Sequence, residues 1–149
     1  MLVSEDYLKI KKTAYALLAK REHSVQELHH KLLARNDNET LVDEVMQALA
    51  QEGYLSDERY AEMVFRHRFN RGNGPKRIIY DLRQKGVSDD LIHKALREFD
   101  GDWFRLAQNV RQKRFGQWQS DHFNEKAKQM RFLAARGFEV AHIEGAFGA

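Results

Sequence analysis

Apolar residues along this chain recur at intervals of three and four, the period of an α-helix. Leu28, Leu32 and Leu33 follow it, as do Leu41, Val45 and Leu49. So do Ile78, Ile79 and Leu82, then Leu91, Ala95 and Leu96, then Met130, Leu133 and Ala134. No stretch alternates convincingly with the period of two that a half-buried strand requires. The pattern predicts an all-α protein. Gly53, Gly72, Gly74, Gly86, Gly101, Gly116 and Gly137, with the single proline Pro75, cut the stripes into short segments.

The serines mark where segments begin. Ser24-Val25-Gln26-Glu27 has the form of a capping box, in which a hydroxyl and a carboxylate satisfy opposite groups of the first turn. Ser56 is followed by Asp57 and Glu58, Ser88 by Asp89 and Asp90, and Ser120 by Asp121. Each reads as an N-cap with acids placed favourably toward the helix dipole. Those roles outweigh a serine nucleophile.

The segments repeat. Leu28 aligns with Ile78, Leu32 with Leu82 and Leu133, and Leu41 with Leu91; Ala14 aligns with Ala61 and Ala107. Three units of three helices are predicted, with boundaries at 1–52, 53–101 and 102–149. The first holds Asp6–Glu22, Ser24–Arg35 and Glu39–Gln51. The second holds Ser56–Arg71, Pro75–Lys85 and Ser88–Phe99, and the third Asp102–Phe115, Ser120–Arg136 and Val140–Phe147. No single helix can bury its stripe alone, so stacked units forming one elongated array are expected.

Charge adds a direction. The 149 residues carry a formal net charge of +3, but the first predicted unit is at −2, the second at +2 and the third at +3. Partners are therefore expected on the middle and C-terminal parts. The absence of cysteine excludes disulfides, thiolate catalysis and cysteine-based zinc sites. The N-terminus MLVSEDYLKI does not have the form of a secretory signal. The longest apolar run, Ala14 to Ala19, is far short of a membrane span.

The stretch FNRGNGPKRIIYDLRQKGV (Phe69–Val87) invites a nucleotide-loop reading through Gly72 and Gly74. A dinucleotide fingerprint would need a preceding strand and a glycine where Arg77 stands, and a P-loop would need Gly-Lys-Ser/Thr. Neither is met. The same residues read better as punctuation: Gly72 ends one helix in a left-handed turn, Gly74 sits near the next N-cap, and Pro75 takes the first helical position. From Arg66 to Lys85 there are seven Lys or Arg and one acid, Asp81. A solvated helix face is the plain alternative, but the balance is too one-sided for salt-bridge lacing and favours an anionic or nucleoprotein contact. Arg66, Arg68, Arg71, Lys76, Arg77 and Arg83 are the candidate residues.

A second cluster, Arg111, Lys113, Arg114, Lys128 and Arg131, lies in the third unit among Trp103, Phe104, Phe115 and Trp118. Aromatic rings beside cations can stack on single-stranded bases. Trp103 and Phe104 read rather as core anchors, and Trp118 is open between the two. The seven histidines are scattered and show no His-Glu-x-x-His pattern. No metal, cofactor or catalytic constellation is expected.

GYLSDERYAEMVFRHRFNRGNGPKRIIYDLRQKGVSDDLIHKAL (Gly53–Leu96) closely resembles the central motif of the RecX family of RecA regulators. ALLAKREHSVQELHHKLLAR (Ala16–Arg35) resembles its first repeat and RFLAARGF (Arg131–Phe138) its third. The chain departs in a short last helix and in Gln129, which stands where Ile78 stands in the second unit. The resemblance implies a curved array of three-helix repeats in a cytoplasmic regulator; a monomer is expected, and the lack of a catalytic constellation makes it a non-enzymatic one. Its implied partner is the RecA recombinase in its filament on single-stranded DNA. The implied outcome is restraint of ATP hydrolysis, coprotease action and strand exchange, and so modulation of DNA repair, recombination and the SOS response. A protein that binds DNA directly and nonspecifically, without RecA, is the alternative.

Overall fold

The computed structural model describes residues 4–118 and 123–147. Among these the chain forms nine α-helices and no strand: α1 (Glu5–Lys20), α2 (Val25–Leu33), α3 (Glu39–Gln51), α4 (Asp57–Asn70), α5 (Pro75–Gln84), α6 (Asp89–Glu98), α7 (Trp103–Phe115), α8 (Phe123–Ala135) and α9 (Val140–Gly145). The repeat alignment identifies equivalent buried positions: Ala14, Ala61 and Ala107 are all fully buried, and so are Leu32, Leu82 and Leu133. Ala134 departs from its predicted stripe and is exposed. Val42, Met46 and Ile92, which the stripes omitted, are buried.

Most caps are as the sequence predicts. The Ser24, Ser56 and Ser88 hydroxyls accept the backbone N–H groups of Glu27, Arg59 and Leu91 at 3.0, 3.2 and 3.3 Å. Ser120 lies outside the described residues. The capping box at Ser24 is only half made. The Glu27 carboxylate turns instead to Arg21, with contacts of 3.0 and 2.6 Å, because a charge-assisted, two-toothed partner is stronger than one backbone N–H. The N–H of Val25 is taken from elsewhere, by the Asp57 carboxylate at 2.8 Å.

The chain divides into two compact units, one holding residues up to Met63 with Leu82–His93, the other Val64–Asp81 with the residues from Lys94 onward. In the first, α1, α2 and α3 close on Ile10, Ala14, Leu28, Leu32, Val42, Val45, Leu49 and Leu55. In the second, α7, α8 and α9 close on Ala107, Leu133, Phe138, Ile143 and Ala146. Beside that core lies a ring cluster of Phe65, Phe69, Phe99 and Trp103, with centroids between 5.0 and 6.4 Å apart.

The second unit is joined through backbone alone at one point. The Gly74 and Lys76 N–H groups donate to the Arg136 and Gly137 carbonyls at 2.8 and 2.9 Å. A Cβ at Gly74 would overlap the Gly137 carbonyl and the Phe138 nitrogen, and one at Gly137 would overlap Arg77. Gly137 also holds φ at +95°, where a side chain is strained. Gly72 ends α4 at φ +86°, with the Asn73 N–H returning to the Arg68 carbonyl at 3.0 Å in the manner of a Schellman turn.

Two buried histidines are held neutral. Lys31 can only donate, so its ammonium 2.9 Å from His23 Nε2 fixes that nitrogen as acceptor and leaves Nδ1–H to donate to the Arg21 carbonyl at 3.0 Å. His142 Nδ1 accepts the Glu139 N–H at 3.2 Å inside a nest of Trp103, Phe104 and Phe138. Burial lowers both pKa values. Glu27 behaves in the opposite sense: burial pushes its carboxyl up, but the Arg21 hydrogen bonds and charge outweigh that and hold it at about 2.

Two outcomes are expected. Gly74→Ala should destabilise by about 3 kcal/mol, because the obstacle is backbone that has no rotamer to change. Gly53→Ala, with nothing within 4 Å of the new carbon, should cost only the positive-φ strain of about 1 kcal/mol; urea unfolding of both variants measures the contrast. For the histidines the unfolded chain takes protons first as pH falls, so their contribution is complete above about 6.5 and is lost below it. Glu27 contributes above its ordinary 4.5 and loses that contribution only as pH falls toward about 2. The urea midpoint should therefore drop between about pH 7.5 and pH 5, and His23→Gln should flatten that drop.

Candidate cationic interface

The six cations predicted around α4 and α5 reach the surface, but the surface is less bare than the sequence suggests. Arg66, Arg71, Lys76, Arg77 and Arg83 are exposed, and Arg68 is half-buried. Arg68 and Arg77 share Asp81, at 3.4 and 3.9 Å. The Asp81 Oδ2 atom they face is buried without a directed hydrogen bond, so its stabilisation is Coulombic. Lys76 meets Glu139 at 3.6 Å and Arg83 meets Asp89 at 2.8 Å. This corrects the expectation that the charge was too one-sided for lacing. Glu139 and Asp89 lie outside the Arg66–Lys85 stretch, and folding brings their carboxylates to it. Among the described residues Arg66 and Arg71 make no ion pair. Exposed pairs of this kind are worth ~0–1 kcal/mol each, so an incoming anion displaces their acids at little cost.

The second predicted cluster separates. Lys113, Arg114, Lys128 and Arg131 are exposed on α7 and α8. Arg111 is not a surface residue. It is 2% exposed, and its guanidinium donates to the Ala146 carbonyl at 2.9 Å, the Gly116 carbonyl at 3.1 Å and Gln129 Oε1 at 3.4 Å. The Phe147 ring lies 5.3 Å from it. Burial lowers its pKa. Gln129, itself buried, passes its amide hydrogen to Glu125 at 3.1 Å. The positions equivalent in the second repeat are Phe65 and Ile78, both fully buried. The third repeat thus replaces an apolar pair with a polar one, and Arg111 is a structural cation that ties α7 to the end of α9.

Folding also brings together residues that the sequence assigned to two surfaces. Arg71 from the end of α4, Lys113 and Arg114 from α7, and Arg136 from the end of α8 line one cleft of about 570 Å³. Arg114 and Arg136 each lie over the Phe132 ring, at 5.3 and 5.4 Å, and Arg136 donates to the Arg71 carbonyl at 3.3 Å. Spacing alone could have paired Phe132 with Arg136, since residues four apart share a helix face; nothing local points from α8 to Arg71. Phe104, expected in the core, is 51% exposed with its edge on His142. Trp103 joins the ring cluster, and Trp118 packs edge-on against Phe147 at 5.1 Å. Of the motif residues upstream, Arg59 pairs with Glu22 at 2.9 Å and Tyr60 is buried. Tyr54 is exposed, with its ring edge-on to Tyr15 at 5.0 Å.

Comparison with known proteins adds the family context. A family model described as RecX, second three-helix domain, matches residues 56–96, and one described as RecX, third three-helix domain, matches residues 100–147. The chain is 40% identical over 140 residues to the regulatory protein RecX of Halorhodospira halophila, covering 94% of this chain and 87% of that one. It is 41% identical over 134 residues to the regulatory protein RecX of Pseudomonas putida strain GB-1, covering 90% and 86%. In fold it is similar to the crystal structure of RecX from Lactobacillus salivarius, with a TM-score of 0.82 at 23% identity, covering 97% of this chain and 96% of that one.

The buried Arg111–Gln129 pair yields a test by double-mutant cycle. Arg111→Ala should cost about 3 kcal/mol, since it strands buried carbonyls and the Gln129 amide oxygen. Arg111→Phe combined with Gln129→Ile, the pair found in the second repeat, should recover a large part of that loss. Additive single-mutant effects in urea unfolding would show that the two residues act independently.

Proposed function

The chain belongs to the RecX family of regulatory proteins, and on that premise we propose that it regulates the RecA recombinase by binding the RecA–single-stranded DNA filament. In this reading it lodges along the groove of the filament and limits ATP hydrolysis, coprotease action and strand exchange, without catalysing a reaction itself. The observation that carries the reading is the set of cations that α4, the turn after it and α5 bring to the surface. Arg66 and Arg71 have no ion pair among the described residues, and Arg68, Lys76, Arg77 and Arg83 hold only weak, exchangeable ones. Such cations suit acidic protein groups or DNA phosphate alternately presented along a filament. Lys113, Arg114, Lys128 and Arg131 supply a second contact area, and Arg111 does not, because it is buried.

Co-sedimentation with filaments formed by RecA, an ATP analogue and single-stranded DNA tests this, with naked strand and free RecA as controls. Retention on filaments beyond either control is expected. Arg66→Glu, Lys76→Glu and Arg77→Glu together should cut that retention about tenfold or more through reversed charge, with helicity by circular dichroism unchanged. Equal retention on naked strand would favour a plain DNA-binding protein, and undiminished retention by the triple variant would remove these cations from the interface.

A further inference from the structure

The cleft lined by Arg71, Lys113, Arg114 and Arg136 has properties that a general cationic face lacks. Its walls carry four cations and no carboxylate. None of the four makes an ion pair among the described residues. Elsewhere on α5 folding supplies an acid to each exposed cation, as at Lys76 and Arg83; here it supplies none. The floor is apolar, built from Leu106, Val110 and Phe132, and two primary amides, Asn70 and Asn109, stand at the walls.

We infer that this cleft is a nucleotide subsite for single-stranded nucleic acid, holding one phosphate among the four cations and the attached base over the apolar floor between Asn70 and Asn109. Three features favour a nucleotide over an acidic peptide. A carboxylate needs one guanidinium edge, whereas this cleft is lined by three arginines and a lysine, a set suited to a phosphate with several acceptor oxygens. Arg114 and Arg136 lie over the Phe132 ring, and planar guanidiniums beside an aromatic ring are groups on which bases stack. The amides offer both a donor and an acceptor each, which base edges require and carboxylates do not. The volume of about 570 Å³ admits one nucleotide, and a base that stacks on the floor must be unpaired, so the strand is single at this point.

The inference goes beyond filament binding because it needs no recombinase, and its test contains none, so the two fail separately. Fluorescence anisotropy of a labelled oligothymidylate is titrated with the full chain at salt from about 50 to 200 mM, where phosphate contacts report as a slope. Lys113→Glu should weaken binding about tenfold and lower the salt slope by roughly one, and Asn109→Asp should weaken it by placing a carboxylate at the cleft wall. Lys12→Glu, the same charge change on exposed α1, should alter affinity less than about twofold. A strand with abasic sites in place of its bases should bind about tenfold more weakly, through lost stacking. Equal weakening by Lys12→Glu and Lys113→Glu would overturn the inference in favour of a diffuse field. Equal affinity for the abasic strand would reduce the subsite to an anion hole and overturn the base contact. Displacement of the strand by a glutamate-rich peptide more readily than by unlabelled strand would reassign the cleft to an acidic protein segment.

Discussion

The start of α5 rests on the end of α8 through hydrogen bonds between backbones, and this contact constrains the second unit more than any side chain does. Helix N-termini expose N–H groups and helix C-termini expose carbonyls. Here the Gly74 and Lys76 N–H groups meet the Arg136 and Gly137 carbonyls directly. The arrangement sets the partial positive end of one helix against the partial negative end of another, and it requires a distance that only two facing glycines permit. It also explains an apparent fault. No acid stands in the first turn of α5, and Lys76 and Arg77 do, although cations are unfavourable at a helix N-terminus. The carbonyls of α8, with Glu139 beyond them, offset that field. The same hydrogen bonds account for why a glycine-rich turn before a helix is no phosphate loop in this protein: the N–H groups that would cradle a phosphate are already in use.

Arg111 and Gln129 show how a repeat can diverge at buried positions without losing its geometry. A buried guanidinium demands acceptors, and it finds them in Ala146, Gly116 and Gln129. Two of those are backbone carbonyls just past the ends of α7 and α9. The third repeat closes on a short α9 that has few apolar residues to offer. A cation that reaches the last carbonyls of that helix fixes it in place more directionally than Phe at the same position could. Apolar burial would supply comparable stabilisation with less specificity of orientation.

Much of the fold is visible in the sequence because its signals are local. Capping serines, left-handed glycines and the period of the stripes report on a single turn of chain, and the three aligned alanines report the repeat. The failures share one cause. The Glu27 carboxylate left its own cap for Arg21, Lys76 found Glu139, and Arg111 was drawn inward by a carbonyl thirty-five residues away. Each depends on a partner outside its own helix, and none leaves a periodic trace. Phe104 failed for a related reason. Its neighbour Trp103 already fills the ring cluster, and on a helix adjacent residues point apart.

The candidate site was half legible on the same terms. Clustering of Lys and Arg identified which helices carry charge, but not which charges are already neutralised. That distinction separates two kinds of cation here. Those on α5 sit beside acids and are exchangeable: a partner gains their charge only by displacing Glu139, Asp81 or Asp89, so they discriminate between partners by relative strength. Those in the α4–α7–α8 cleft have no acid to displace, and an anion entering there neutralises charges that folding left in excess. Like charges on Arg71, Lys113, Arg114 and Arg136 repel one another, and the Phe132 ring beneath Arg114 and Arg136 moderates that. A cluster kept in that condition is more economically understood as a binding site than as a scaffold, because a scaffold would be improved by a single glutamate at Asn109.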